Sequence, residues 1–132
     1  MNRPVVFDAY AILALLENDT GAQTVTGLLT YEEVDIYLSV INAGEIYYIV
    51  LSRNGAQAAE EVIENMFMER ALTILDAPWE RVKAAASIKS WGGLSYADAF
   101  ALALAKELGA PLVTGDIEIK GAAQAMGVEI IW

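Results

Sequence analysis

The sequence predicts an α/β fold, with a mostly parallel sheet of four to five strands covered by helices on both faces. Three observations carry this. Short apolar runs alternate with longer stretches of helix-forming residues from one end to the other, and that alternation implies parallel pairing through crossovers. The 132 residues are 56% hydrophobic, which suits one compact core and leaves little for a second. Apolar residues are spread along the whole length, with no linker, repeat or low-complexity tract, so residues 1–132 are expected to form a single domain.

Pro4 to Phe7 reads as a buried strand ending at Asp8, and Ala9 to Glu17 as a helix rich in good helix formers. Asn18-Asp19-Thr20-Gly21 punctuates, and Ala22 to Tyr31 is a second helix. Asp35 to Ser39 is the second strand, followed by a helix from Asn42 to Arg53 that Asn54-Gly55 stops. Ala56 to Glu69 is an amphipathic helix with acids on one side. Leu72 to Leu75 is a third short strand, at an edge if it pairs at all. Pro78 opens a helix that runs to Ser90, the residue type suited to a first turn. After a Gly92-Gly93 loop, Tyr96 to Leu108 is an Ala/Leu-rich helix closed by Gly109. Pro111 to Val113 is a fourth strand, Ile117 to Met126 a helix, and Val128 to Ile131 a last strand.

Two absences narrow the chemistry. Without Cys there are no disulfides, thiolate nucleophiles or cysteine zinc sites; without His there are no Ser-His-Asp or Cys-His triads and no imidazole ligands. Carboxylates dominate instead, with 18 Asp plus Glu against 8 Lys plus Arg and a formal net charge of −10. Such a surface repels a polyanion unless bound divalent cations reverse the charge where a phosphate would sit. The beginning of the chain fits neither a signal nor a transit peptide, and no apolar run is long enough to span a bilayer. A cytoplasmic protein with no membrane partner is expected.

In a parallel sheet ligands bind beyond the carboxyl ends of the strands, and four acids fall at that edge. Asp8 follows the first strand, Glu45 lies in the helix after the second, Asp98 opens the helix leading into the fourth, and Asp116 follows the fourth. Each also has a structural explanation. Asp8 and Asp116 suit helix N-caps, while Asn42 with Glu45 and Ser95 with Asp98 have capping-box spacing. As a set the acids make poor structure, because each gains about 1 kcal/mol or less from a helix dipole while close carboxylates repel one another. A divalent cation removes that repulsion. Oxygen ligands without His or Cys favour Mg²⁺ or Mn²⁺, and such ions activate water and stabilise charge in phosphodiester hydrolysis.

The segments Val5-Val6-Phe7-Asp8-Ala9-Tyr10-Ala11, Ile41-Asn42-Ala43-Gly44-Glu45-Ile46-Tyr47-Tyr48, Leu94-Ser95-Tyr96-Ala97-Asp98-Ala99 and Leu112-Val113-Thr114-Gly115-Asp116 together resemble the PIN-domain family. The closest likeness is to the VapC-type toxins of toxin–antitoxin pairs. It covers nearly the whole chain, with the four motifs in order. The resemblance implies a three-layer α/β/α sandwich and a metal-dependent endoribonuclease. In that family, residues matching Asp8, Glu45, Asp98 and Asp116 bind Mg²⁺ or Mn²⁺, with Thr114, Asn42 and Glu118 as accessory positions. It further implies an RNA substrate, commonly tRNA or ribosomal RNA, and a small cognate antitoxin as inhibitor. A homodimer is expected, and the helix pair from Asn42 to Glu69, with Met66, Phe67 and Met68, is expected to carry either the dimer contact or the antitoxin groove.

Two other functions compete. A phosphoacceptor receiver domain would need paired acids near the first strand and a Lys after the last, and the chain has a lone Asp8 and no Lys beyond Ile131. A non-catalytic PIN-like module binding RNA or protein would be favoured by a missing acid. Tyr47, Tyr48 and Trp91 read as packing residues, Glu60, Glu61, Glu64 and Glu69 as a solvated helix face, and Arg81, Lys83 and Lys89 as surface cations.

Overall fold

A computed structural model describes residues 2–132. In chain order the elements are β1 (Arg3–Phe7), α1 (Ala9–Leu16), α2 (Ala22–Thr30), β2 (Val34–Ser39), α3 (Val40–Asn54), α4 (Ala56–Met68), β3 (Leu72–Leu75), α5 (Trp79–Lys89), α6 (Tyr96–Leu108), β4 (Leu112–Val113), α7 (Ile117–Met126) and β5 (Ile130–Ile131). The strands form one sheet in the order β3-β2-β1-β4-β5, with every pairing parallel. The expected α/β sandwich is therefore present with five strands. The short third strand pairs with β2 and forms one edge.

Side-chain alternation along β1 builds the three layers. Val5, Val6 and Phe7 are all buried, as expected of a strand covered on both faces. Successive residues of a strand point to opposite faces. Val5 and Phe7 accordingly join a core with Ile12, Val25, Ile46 and Val50 under α1 to α4, while Val6 joins Ile88, Leu102, Leu104, Leu112 and Ile119 under α5 to α7. The central helix of that second face, α6, is buried almost all round, which is why its sequence is mostly Ala and Leu.

Strand order creates a crevice. From β1 the chain proceeds to β2 and β3 on one side, then reaches β4 and β5 on the other. The reversal lies between β1 and β4, the place where connections leave in opposite directions and a ligand finds room above the sheet.

Several expectations are corrected. Helix α3 begins at Val40 rather than Asn42, because the Ser39 hydroxyl accepts a hydrogen bond from the Ile41 amide at 3.2 Å and caps it. The β-branched pair Val40-Ile41, which favours a strand in isolation, is thereby drawn into the first turn. Asn42 and Glu45 consequently lie inside the helix and form no capping box. Tyr48 and Trp91, read as packing residues, are 58% and 66% exposed, whereas Tyr47 is half-buried and donates its hydroxyl to Glu60 at 2.7 Å. Glu60, Glu61, Glu64 and Glu69 are exposed as expected. Among the described residues no helix is long and apolar enough to cross a membrane.

Phe7 has no exposed surface and bridges β1 to the α1–α4 layer. Phe7→Ala is expected to lower unfolding stability by about 3–5 kcal/mol, read by urea denaturation. A loss below about 1 kcal/mol would show that this layer collapses around the missing ring.

Candidate functional site

Buried polarity is concentrated in one place. Among the described residues the buried polar side chains are Asp8, Ser39, Asn42 and Thr114, and three of these end adjacent strands. Register explains the arrangement: Phe7 pairs with Leu38 on one side and Val113 on the other, so the next residues, Asp8, Ser39 and Thr114, stand in a row at the carboxyl edge. Asn42 projects from the first turn of α3 beside them.

Asp8 is 1% exposed and caps α1, accepting the Ala11 amide at 2.9 Å. Burial pushes its carboxyl up to about 7, against the lowering effect of hydrogen bonds from the Thr114 hydroxyl and the Ala11 amide; the charges of Asp98 and Glu45 raise it further. Thr114 serves two acids, since its hydroxyl oxygen also accepts the Asp116 amide at 3.0 Å. Asp116 is half-buried and caps α7 by accepting the Glu118 amide at 2.9 Å.

Glu45 and Asp98 reach the same place from opposite layers. The carboxyl of Glu45 is raised by burial and by the charge of Asp98, an effect that a hydrogen bond from Asn42 offsets and the charge of Asp116 reinforces. Asp98 is raised by burial, lowered by the Ser95 hydroxyl, then raised by Asp116 and Glu118, including a carboxyl–carboxyl hydrogen bond with Asp116. Ser95 also caps α6, accepting the Asp98 amide at 3.1 Å. One side chain ties the layers together: Asn42 Nδ2 donates to the Ala97 carbonyl at 3.0 Å across 55 residues of sequence. It fixes α3, three residues before Glu45, against α6, one residue before Asp98.

The structure thus brings all four main acids together, with Thr114 and Asn42 as direct neighbours and Glu118 exposed at the rim. The capping explanations hold for Asp8, Asp116 and Ser95-Asp98, and the cluster exists nonetheless. Ser39 and Ser95 belong to the site as positioning residues. Ser95 was legible only as a cap, and Ser39 would have required the strand register.

Two buried acceptors, Glu45 Oε1 and Asn42 Oδ1, have no hydrogen-bond partner. An unpartnered buried oxygen costs roughly 1–3 kcal/mol, and two such oxygens beside mutually repelling carboxylates are chemically suited to a cation. Among the described residues no three acids form a ready-made ion cage.

A profile of the PIN domain matches residues 5–124, nearly the full length and a span that contains all four acids. The chain belongs to the PIN domain family. No curated protein matches it. Among solved structures, this PIN domain superposes on VapC20 of Mycobacterium tuberculosis, a sarcin-ricin loop cleaving toxin. Its TM-score there is 0.73 at 17% identity, over 89% of this chain and 94% of that one. The DNA-bound VapBC of Salmonella typhimurium gives 0.72 at 16%, covering 99% and 98%. VapBC2 of Rickettsia felis, bound to a promoter DNA fragment, gives 0.70 at 16%, covering 97% of each chain. At these identities the likeness is one of fold.

The raised carboxyl of Asp8 gives a signed prediction. A group whose folded pKa, about 7, exceeds its usual 3.8 contributes stability that is fully present below about pH 4 and is lost as pH rises through 7. Metal-free Asp8→Asn is therefore expected to melt above the parent at about pH 8 and to lose most of that advantage at about pH 5. Parallel melting curves by circular dichroism check it, and equal midpoints at both pH values would contradict it.

Proposed function

We propose that the chain is a VapC-type toxin ribonuclease that cleaves RNA phosphodiesters with Mg²⁺ or Mn²⁺ and is restrained by a cognate antitoxin. The observation that carries this is the convergence of Asp8, Glu45, Asp98 and Asp116 at the β1/β4 crevice, with each of the first three pushed toward its neutral form. Such an arrangement destabilises the protein alone and is useful only when a cation occupies it. Membership of the PIN family and the fold shared with VapC toxins support the same reading.

Asp8, Glu45, Asp98 and Asp116 would hold the ion. When bound, it would supply positive charge to the phosphoryl oxygens and a water of lowered pKa as nucleophile. The protein's part is positional. Thr114 and the Ala11 amide orient Asp8, Ser95 orients Asp98, and Asn42 keeps α3 and α6 in register. Asp98 and Asp116 lie close enough to influence each other, so both can face one ion. N-termini of α1, α6 and α7 face the same edge and favour anionic oxygens there.

The proposed inhibitor would take an apolar cleft. Ile12, Leu15, Leu16, Leu29, Val62 and Met66 line a cleft of about 170 Å³ between the α1–α2 pair and α4, suited to an apolar helix. An antitoxin helix seated there would use the late part of α4, while Phe67 and Met68 stay exposed and suit contact with a second copy.

The test is cleavage of end-labelled total tRNA and a generic RNA by purified protein in Mg²⁺, Mn²⁺ or EDTA, with Asp98→Asn as control. Metal-dependent cutting, reduced at least a hundredfold in the variant, is expected on the scale of lost charge stabilisation. No cutting in either metal would favour the non-catalytic binding module.

A further inference from the structure

A polyanionic substrate meets predominantly negative charge at this site. The charges felt by Asp8, Glu45 and Asp98 are all negative. Of eight basic residues in the chain, Arg53 pairs with Glu17, Arg81 with Glu107 at 3.0 Å, and Lys106 donates to the Met126 carbonyl at 2.9 Å; Arg3, Arg70, Lys83, Lys89 and Lys120 are exposed, and of these only Lys120 follows a site acid on the same helix. A divalent ion acts at one phosphate, so affinity for the rest of a strand must come from another kind of contact.

The rim supplies one. Two tyrosines lie two residues from a site acid: Tyr10 beyond Asp8, and Tyr96 before Asp98. Each is 44% exposed, and each is held from one side by another ring. Tyr10 meets Trp132 edge-on, with centroids 5.4 Å apart and planes at 80°; Tyr96 leans on the buried Phe100 at 5.1 Å and 46°. Trp132 itself is wedged. A Cβ added at Gly115 would lie 2.6 Å from its ring and 2.7 Å from Tyr10, and one added at Gly21 would lie 2.1 Å from the same indole. Only glycine beside Asp116 admits this stack. The rings are therefore preorganised, and ordering them on binding requires little entropy.

We infer that Tyr10 and Tyr96 are stacking platforms for unpaired bases of a single-stranded RNA on either side of the acids, so that the substrate is gripped by its bases rather than its phosphates. This rests on the nuclease reading. Aromatic faces accept any base, which gives sequence-tolerant affinity with little dependence on salt, unlike binding through many lysines and arginines.

Binding of a fluorescent single-stranded RNA is measured by anisotropy on the Asp98→Asn background, which does not cut it. Tyr10→Leu and Tyr96→Leu are each expected to weaken Kd by about tenfold, while the Phe variants stay within about twofold of the parent. The slope of log Kd against log salt is expected to be below about 1 in magnitude. Leu variants that bind like the parent, or a slope of about 3 or more, overturn the inference. Because a Leu variant can also lose packing, the same RNA with abasic sites is titrated against the parent. It should bind about tenfold more weakly, and equal affinity overturns the stacking role regardless of the variants' stability. If the unmodified protein cuts RNA and these results fail, only the stacking role falls. If it neither binds nor cuts RNA, the nuclease reading falls with it.

Discussion

The structure depends on one constraint: a carboxylate, Asp8, is buried at the end of the central strand. An isolated buried charge is expensive, and every neighbouring feature reduces or exploits that expense. Register places the Thr114 hydroxyl on one side of it and Ser39 on the other, and the first turn of α1 offers the Ala11 amide. These contacts do not neutralise it, and its pKa stays near 7. Adding Glu45 and Asp98 worsens the electrostatics. A ligand of opposite charge would relieve it.

Capping leaves these acids able to bind a cation, because a carboxylate that caps with one oxygen keeps a second. Asp8 and Asp116 each direct an oxygen toward the first turn of the following helix, which fixes the rotamer of the carboxylate. The cap thus aims the acid. Ser95 does the same for Asp98 by accepting its amide while its hydroxyl meets the carboxylate. Asn42 adds the link that no single element provides, joining helices from opposite layers so that Glu45 and Asp98 converge. Its remaining oxygen and that of Glu45 lack donors, an expense that a bound cation would offset.

Much of this was legible in the sequence for simple reasons. Strand and helix alternation gave the α/β architecture, and the positions of Asp8 and Asp116 just after apolar runs placed them at the ligand-binding edge. Glu45 and Asp98 could be set near the same edge only from the helices that carry them, because position along a helix does not reveal which layer it joins, and the resemblance to a known family strengthened their place in the set. Features that depend on pairing were not readable. Ser39 enters the site only because Phe7 aligns with Leu38, and the Asn42–Ala97 contact spans 55 residues. Aromatic residues misled the reading most. Trp91 and Tyr48 satisfy the composition of a packed face yet are exposed, while the wedging of Trp132 between Gly21 and Gly115 arises from segments far apart in the chain.

The measurement that tests the account most directly is the melting temperature of the unmodified protein at about pH 8, with and without Mn²⁺. Binding to the folded state alone stabilises it in proportion to the logarithm of ligand concentration. The account predicts a midpoint that rises steadily with Mn²⁺ and a smaller rise in Asp8→Asn. A midpoint indifferent to the ion at millimolar concentration would contradict it, leaving Asp8 and Asp116 as helix caps and the convergence of four acids with no cation to serve.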